Sequence, residues 1–490
     1  MNWDNRFSRK WLSLLFIFVG SMCYAQTATI NWANTDQVID GFGGNDAGMF
    51  PAGYAMSSSQ LAEVFGTSGT ELGLSVIRTP MSMGPGSTNN TGDCSTVSVS
   101  CEGTLLADLT GAASYGARIV VTPFGFPAAY TTNGSTICSA GGGGGTLSAS
   151  HYQDMANWTI NFITSLQTYS NLNVYAVNAD NEPEYCDAFD SAVMTSSTLD
   201  TYIKNYLGPT LASNGLTPVL FTPDTGQYGN MAWFSACATD STCASYIGAV
   251  SYHDYGATQS GGPGPGDVTA EPYPSGWASG KKYWVLEAAC TLSGTMPSWC
   301  QAGFDPSWST AMYWAAWADQ RLAVDNVGLL IGTWWFYVDV PSNNGLGLVE
   351  SSTIRSGDVY AVSGRAYALA QYSRWVRPGY YRIDATHIPQ PGISVSAYRD
   401  APSGHLVVVA TNYTTVPVTQ TFSLVNAPTF TAITPYVSSA TQDLQTQAAQ
   451  SVSNSTFSYT LPANSLTTFV GTSSPSASPA APTNLHATVN

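Results

Sequence analysis

The chain of 490 residues is poor in charged residues, and in basic residues above all. Lys and Arg together number 15 against 31 Asp and Glu, which gives a formal net charge of −16 at pH 7. Nucleic acids and anionic membrane surfaces attract proteins through clustered Lys and Arg side chains. The composition therefore argues against both as partners, and it also disfavours a highly acidic substrate.

The usual sequence patterns of a metal site are missing, since neither Cys-x-x-Cys nor His-x-x-x-His occurs. We therefore expect no metal and no cofactor. Of the nine cysteines, Cys23 belongs to the N-terminal segment described next, and the other eight are an even set that predicts disulfides in an oxidising compartment. Spacing suggests three local pairs but does not fix the connectivity: Cys94 with Cys101, Cys237 with Cys243, and Cys290 with Cys300.

Long apolar runs are also scarce, and the clearest one lies near the N-terminus. Trp11–Gly20 is apolar and follows three basic residues, but it is too short for a bilayer span, which needs about 20 residues. Small residues then occupy the two positions that a signal peptidase recognises, so we predict a signal peptide over residues 1–25, cut after Ala25. A lipoprotein cut before Cys23 is the alternative, and bulky Met22 disfavours it. We expect a secreted protein, monomeric, with no membrane as partner.

Between residues 34 and 375, short apolar strands alternate with helical patterns. This alternation is typical of βαβ units and a parallel sheet. Eight such strands predict a (β/α)8 barrel. The predicted strands are Gln37–Gly43, Leu74–Thr79, Arg118–Pro123, Asn173–Ala179, Pro218–Thr222, Ile247–His253, Lys282–Glu287 and Val327–Phe336. Ser150 and Gln153 predict a capping box at the start of one intervening helix.

The pattern changes after the predicted barrel. From residue 376 to 471, short β-branched runs separated by turn residues predict an antiparallel β-sandwich, to which residues 26–33 add an early strand. Residues 472–482 are rich in Ser, Pro and Ala, which predicts a flexible to semi-extended linker. Residues 483–490 are similar to the opening strand of a fibronectin type III module, so we expect the natural protein to continue beyond this chain.

Two glutamates follow predicted strands at the end of the barrel where reactive groups are found. Glu182 follows strand four, and Glu287 ends strand seven, on the opposite side of the barrel mouth. Glycoside cleavage with retention needs two such carboxyl groups, an acid/base and a nucleophile. A glutamate after a strand is more often a helix-start or surface residue, but charged residues are scarce here, at 9% of the chain. Asp180 and Glu184 compete with Glu182 for the role of acid/base.

Asn181 favours Glu182 over its competitors. An amide beside the acid can bind a sugar 2-hydroxyl, a contact that strengthens in the transition state. The predicted barrel also brings the loops after strands three and four together, and these loops hold the two cysteines without a local partner, Cys138 and Cys186. We predict a disulfide between them that braces the loop of Glu182.

On these residues the chain resembles glycoside hydrolase family 30, over about residues 27 to 471. Asn181-Glu182-Pro183 is similar to the family's acid/base motif, and Glu287 to its nucleophile. Ile39–Gly44 resembles the first-strand motif, and Arg365–Thr386 the passage from the last helix into a sandwich docked on the barrel. Asn-Glu-Pro also occurs in related families, so the first-strand motif and the late passage are the more specific signals.

The resemblance implies further site residues. Arg78 on strand two is expected to support the nucleophile, although a structural ion pair is an equal alternative. His253 and Tyr255 match a His-x-Tyr motif after strand six, and Trp334 and Trp335 match an aromatic pair on strand eight. We expect these five residues, together with Asn181, to contact substrate, which the family identifies as a β-linked glycan.

One departure from the family bears on specificity. The glucuronoxylanase branch usually has arginines after the aromatic pair, which bind the uronic acid branch of xylan through paired hydrogen bonds. This chain has Tyr337, Val338 and Asp339 there, and Arg355 is the nearest possible substitute. We therefore expect a xylanase that does not depend on glucuronic acid branches. Another β-linked glycan, such as β-1,6-galactan, β-1,6-glucan or a glucosylceramide-like glucoside, is the second hypothesis, and a non-catalytic carbohydrate-binding protein the third.

Overall fold

The computed structural model describes residues 27–45, 55–81, 103–142, 144–255, 263–277, 280–289, 307–332, 335–338, 347–350 and 361–473. The predicted signal peptide and residues 483–490 lie outside this part of the chain, as does most of the predicted linker. Within the described part, no helix combines the length and the apolar character that a membrane crossing requires.

Eight parallel strands close into a barrel, as the sequence predicts, and the last strand pairs with the first. In chain order they are β2 (Gly41–Asn45), β3 (Val76–Pro80), β4 (Arg118–Thr122), β5 (Val174–Asn178), β6 (Val219–Thr225), β7 (Ile247–Tyr255), β8 (Lys282–Ala289) and β9 (Leu329–Ile331). We call them barrel strands one to eight. Their inward side chains fill the barrel with a separate apolar cluster that includes Val76, Phe221 and Trp284.

The last predicted strand, Val327–Phe336, is only partly correct. The barrel uses Leu329–Ile331, and the chain then leaves it. A second short strand, β10 (Trp335–Val338), pairs with β11 (Gly347–Glu350), which pairs with β12 (Ala361–Val362), in a sheet outside the barrel. A continuous apolar run in the sequence therefore contains two strands of different sheets.

Helices surround the barrel. They are α1 (Ser58–Phe65), α2 (Gly103–Ser114), α3 (Tyr152–Ser170), α4 (Ser196–Tyr202), α5 (Gly208–Ser213), α6 (Ala236–Thr239), α7 (Ser241–Tyr246), α8 (Trp308–Asp319) and α9 (Gly364–Ser373). The capping box predicted from Ser150 and Gln153 is wrong. A 3-10 turn over Ala149–His151 precedes α3, whose N-cap is His151 without a side-chain hydrogen bond. The real capping box lies on α1, between Ser57 and Gln60.

A ten-stranded sheet forms the second domain, as the fold prediction requires. Its strands are β1 (Ala28–Val38), β13 (Tyr381–Ala385), β14 (Ile393–Asp400), β15 (His405–Asn412), β16 (Val418–Val425), β17 (Ala432–Ser439), β18 (Gln442–Thr446), β19 (Gln450–Ser451), β20 (Thr456–Leu461) and β21 (Ser465–Thr472). Strand β1 lies between β13 and β16. The sheet encloses its own core, in which Phe422, Phe457 and Phe469 are in contact.

The last barrel helix joins the two domains. Gln371 of α9 donates a hydrogen bond of 2.6 Å to Ser438, and its backbone carbonyl accepts one of 2.6 Å from Thr468. Just after α9, the ring of Trp375 lies 4.5 Å from that of Tyr436. These contacts are buried or aromatic, so the sheet domain is packed against the last barrel helix.

Candidate active site

The two glutamates singled out in the sequence meet at the carboxyl end of the barrel. Glu182 follows barrel strand four, and Glu287 lies within barrel strand seven. Both are buried, with exposed fractions of 7% and 2%. An oxygen of each carboxyl group and a ring nitrogen of His253 all lie within 4.8 Å of one another. The barrel thus brings Glu182 and Glu287, which are more than one hundred residues apart in sequence, into a single buried site.

Glu182 has an unusual backbone. Its φ is 46°, in the left-handed region that non-glycine residues other than Asn and Asp seldom adopt. Residues strained in this way are often located at functional sites. The Glu182 N–H donates to the carbonyl of Asp224 at 3.1 Å, which fixes this conformation across to barrel strand five. The conformation directs the side chain to His253, whose Nδ1 lies 2.7 Å from Glu182 Oε1.

Glu287 is held by donors on both oxygens. Arg78 Nη1 donates to one oxygen, and the Tyr255 hydroxyl donates to the other. His253 Nδ1 is 3.6 Å from the second oxygen. These contacts bring together four residues that the sequence predicted for the site, and they fix the orientation of the Glu287 carboxylate before any substrate binds.

Arg78 connects the parts of the site. It is fully buried, and its Nη2 donates to Asn181 Oδ1 at 2.7 Å and to Asp224 at 2.9 Å. Its guanidinium also lies 5.3 Å from the ring centre of Phe124. Burial lowers the pKa of Arg78, but the carboxylates of Glu287 and Asp224 outweigh burial and raise it. Arg78 therefore carries a permanent positive charge between two buried acids.

Asp224 is the functional residue that the sequence analysis missed. It is the penultimate residue of barrel strand five and is fully buried. It lies 3.4 Å from His253 Nε2 and 2.9 Å from Arg78. Asn178 donates a further hydrogen bond to it at 2.8 Å. Burial raises the pKa of Asp224, but His253 and Arg78 outweigh that effect and lower it. One signal for Asp224 was available in the sequence, its position as a polar residue at the end of an apolar strand. The residue is not part of a recognisable motif.

His253 is a cation in this surrounding. Burial lowers its pKa, but the carboxylates of Glu287 and Asp224 outweigh burial and raise the pKa to about 10. Both ring nitrogens are then donors, one toward Glu182 and the other toward Asp224. The imidazolium thus holds Glu182 in place and balances part of the negative charge of the site.

Glu182 has the properties of a proton donor. Burial raises its pKa, the hydrogen bond and charge of His253 lower it, and the charges of Glu287 and Glu184 raise it again, to about 7. An acid with a pKa near the working pH is protonated often enough to donate and ionised often enough to accept. The site therefore contains two carboxyl groups in different surroundings, Glu287 beside the guanidinium of Arg78 and Glu182 beside the imidazole of His253.

The two competitors of Glu182 have other surroundings. Glu184 accepts hydrogen bonds from the Gly226 N–H at 2.7 Å and from Asn230 Nδ2 at 3.0 Å, so it links the loops after barrel strands four and five. Asp180 is buried, and burial raises its pKa well above the ordinary value. Neither takes part in the group formed by Glu182, His253 and Glu287.

The same three ligand atoms have the spacing of a metal site, which makes the charges around them decisive. Glu182, His253 and Glu287 lie close enough to share one ion. However, Arg78 already donates to Glu287, and His253 has a pKa of about 10. A histidine must be neutral to bind a metal ion, and a neighbouring guanidinium repels a cation. These residues do not fit a metal.

Residues 109–266 match the family model described as the glycosyl hydrolase family 30 TIM-barrel domain. This part of the barrel is therefore similar to glycoside hydrolase family 30.

Known proteins match the chain over nearly its whole length. The glucuronoxylanase XynC of Bacillus subtilis strain 168 is 25% identical over 454 residues, which cover 91% of this chain and 92% of that protein. The crystal structure of a family 30 subfamily 8 xylanase, Xyn30A from Clostridium acetobutylicum, is 25% identical and superposes with a TM-score of 0.73, over 91% of this chain and all of that one. The endo-beta1,6-glucanase BT3312 shares the fold, with a TM-score of 0.65, 18% identity, and coverage of 91% and 94%. Over most of its length the chain is therefore similar to glycoside hydrolases.

Two disulfides lie in the described part of the chain. Cys138 pairs with Cys186, as we predicted, and their Cα atoms are 5.1 Å apart. The bond ties the loop after barrel strand three to the loop that follows Glu182, which is worth a few kcal/mol in the chain-entropy model. Cys237 pairs with Cys243. The other four cysteines, Cys94, Cys101, Cys290 and Cys300, lie outside the described residues.

Only some of the other residues predicted to bind substrate lie in the described part of the chain. Trp334 and the segment from Asp339 to Pro341 lie outside the described residues, as does Arg355. Trp335 is described only as backbone in β10. The predicted lack of a uronate-binding arginine therefore stays a prediction from sequence. Asn181 is visible, and because its Oδ1 accepts from Arg78, its amide nitrogen is the group that remains to meet a sugar.

Proposed function

We propose that this protein is a secreted, retaining β-glycanase that hydrolyses xylan-type polysaccharide by double displacement. The observation that carries the proposal is the approach of Glu182 and Glu287, which have carboxyl oxygens within 4.8 Å. Retaining enzymes place the two carboxyl groups about 5–5.5 Å apart, and inverting enzymes about 6.5–9.5 Å apart to admit a water. The observed approach supports retention.

The proposed mechanism assigns one role to each carboxyl group. Glu182 donates its proton to the glycosidic oxygen as the bond to the leaving sugar breaks, while Glu287 attacks the anomeric carbon and forms a glycosyl ester. Glu182, now ionised, accepts a proton from water as the water attacks the same carbon and releases Glu287. Arg78 and Tyr255 hold the nucleophile in line, and His253 stabilises Glu182 in its ionised form between the two steps.

Xylan is the first-choice substrate because the family relatives that match over nearly the whole chain are named as xylanases. The similar fold of a β-1,6-glucanase keeps other β-linked glycans as the second candidate. A non-catalytic binding protein is disfavoured, since both carboxyl groups and their buried partners form one connected group. Two described disulfides and the predicted signal peptide support secretion.

Hydrolysis is expected to be independent of glucuronic acid branches. A site that selects a carboxylate must supply a cationic partner, and Tyr337, Val338 and Asp339 offer none in sequence. The test compares initial rates on glucuronoxylan, on enzymatically de-branched xylan, on arabinoxylan and on a β-1,6-glucan. We expect similar rates on the three xylans, with product lengths unrelated to uronate positions. A loss of activity after uronate removal contradicts the specificity, and activity on the glucan alone contradicts the substrate.

The pH dependence of the reaction should reflect Glu182. Because this residue must be protonated to act first and has a pKa of about 7, kcat/KM of the free enzyme is expected to fall as pH rises through about 7. Glu184 contributes to the raised pKa, so Glu184→Gln, which keeps an acceptor for Gly226 and Asn230, should move this alkaline limb to lower pH. Asp154→Asn on the outer face of α3 is the control, with an unmoved limb. If the alkaline limb of Glu184→Gln stays at the wild-type pH, the charge of Glu184 does not raise the pKa of Glu182.

A further inference from the structure

A tryptophan at the catalytic end of the barrel is exposed without an evident structural need. Trp233 lies on the 3-10 helix Tyr228–Phe234, in the connection after barrel strand five. Its exposed fraction is 66%, the highest among the large hydrophobic side chains in the described residues. A single exposed apolar side chain is common on a protein surface, so the position of Trp233 after barrel strand five is what suggests a ligand. The indole has an apolar face and an N–H donor, a combination that suits the face and hydroxyls of a sugar ring.

The helix below Trp233 is firmly held. Met231 and Phe234 are buried, with 1% and 5% exposed. The Tyr228 hydroxyl donates to the carbonyl of Pro272 at 2.9 Å, and the Tyr228 ring packs edge-on against Tyr252 of barrel strand six at 5.5 Å. The indole of Trp233 is therefore presented from a fixed base, which lowers the entropy lost when a ligand binds.

The same connection touches the acid/base. Gly226 lies so close to Glu182 that a side-chain carbon there would be 2.9 Å from Glu182 Oε1 and 2.5 Å from the ring of Tyr185. Glu184 accepts hydrogen bonds from Gly226 and Asn230, which are the two ends of the short segment Gly226–Asn230. The loop that carries Trp233 thus begins in contact with the group that protonates the leaving oxygen.

We propose that the segment Gly226–Phe234 forms a binding site for the leaving-group side of the polysaccharide, in which the indole of Trp233 stacks on a sugar ring beyond the cleaved bond. The inference rests on the proposed function, because it takes Glu182 as the acid/base. The leaving sugar is bonded to the oxygen that Glu182 protonates, so the loop packed against Glu182 borders that part of the chain.

The test separates leaving groups of different length. Trp233→Ala is compared with the wild type on polymeric xylan and on an aryl β-xylobioside. The phenol leaving group of the xylobioside is too short to reach the proposed stacking position on Trp233. We expect KM for the polymer to rise by about 2- to 12-fold, the range of a single aromatic contact, with kcat/KM for the aryl glycoside unchanged. Trp233→Phe keeps a ring and should recover part of the loss. The matched control is Tyr381→Ala, an exposed aromatic on the sheet domain.

Each outcome bears on one of the two claims. An unchanged KM for the polymer, or an equal loss on both substrates, contradicts the binding site. A wild type that releases no sugar from xylan but cleaves another glycan of the panel contradicts the proposed substrate, and the same comparison on that polymer then tests Trp233. A wild type that cleaves no glycan at all contradicts the proposed function, on which the site depends.

Discussion

Replacing Glu287 by Ala is expected to lower polysaccharide hydrolysis by about 10⁴-fold or more, because it removes the carboxylate that we propose forms the covalent intermediate. Azide should then restore part of the activity on an aryl glycoside. The small anion fits the space left by the side chain and attacks the anomeric carbon from the same face. Its product, a glycosyl azide, has inverted configuration, which NMR of the product mixture detects.

The matched variant is Glu182→Gln, which should abolish polysaccharide hydrolysis but retain the first step on an aryl glycoside whose leaving group needs no protonation. Circular dichroism and thermal unfolding show whether each variant is folded. A Glu287→Gln enzyme with near-normal turnover would contradict the assignment of the nucleophile. A natural-substrate product of inverted configuration in the wild type would contradict the retaining mechanism.

Replacing Arg78 by Leu is expected to have the second largest effect, on stability as well as activity. Arg78 lies between Glu287 and Asp224, and all three are buried. Removing one partner of a buried ion pair leaves a charge without compensation, which costs about 3–5 kcal/mol of unfolding free energy. The orientation of Glu287 is lost with the guanidinium. We expect urea unfolding to show the destabilisation, and kcat/KM of the folded fraction to fall by about 10²-fold or more.

A buried charge at the opposite end of the barrel provides the control. Asp40 accepts hydrogen bonds from Lys282 at 2.5 Å, Tyr175 at 2.6 Å and Trp284 at 2.9 Å. Asp40→Asn should lower the unfolding free energy by about 1–3 kcal/mol and leave kcat/KM of the folded enzyme and its pH profile unchanged, because this end of a barrel serves stability. If Arg78→Leu behaves as Asp40→Asn does, Arg78 has only a structural role.

The barrel was predictable because parallel strands buried on both faces are nearly continuous apolar runs. Barrel strand three illustrates this, since predicted Arg118–Pro123 and observed Arg118–Thr122 differ by one residue. The same property caused the error at strand eight, where apolar character continues from Leu329 into β10 and does not reveal a change of sheet. The start of α3 was wrong because a capping motif competes with a 3-10 turn, which local sequence does not resolve.

The site was predictable only where a strand end coincided with a motif. Glu182, Glu287, Arg78, His253 and Tyr255 meet both conditions, and the structure brings their side chains together. Asp224 meets one condition only. Its importance depends on the approach of Arg78 and His253 from two other strands, which is a property of the closed barrel and has no counterpart in residue spacing.

The position of β1 makes the order of synthesis matter for folding. This strand leads directly into the barrel, yet Thr29 bonds to Thr386, 357 residues later. At synthesis rates of about 5–20 residues per second, the partner strand follows about 20–70 s behind. Until then β1 has two unpaired edges and invites pairing with other chains. The strand of the sheet domain that is synthesised first is thus among the last to pair with its neighbours.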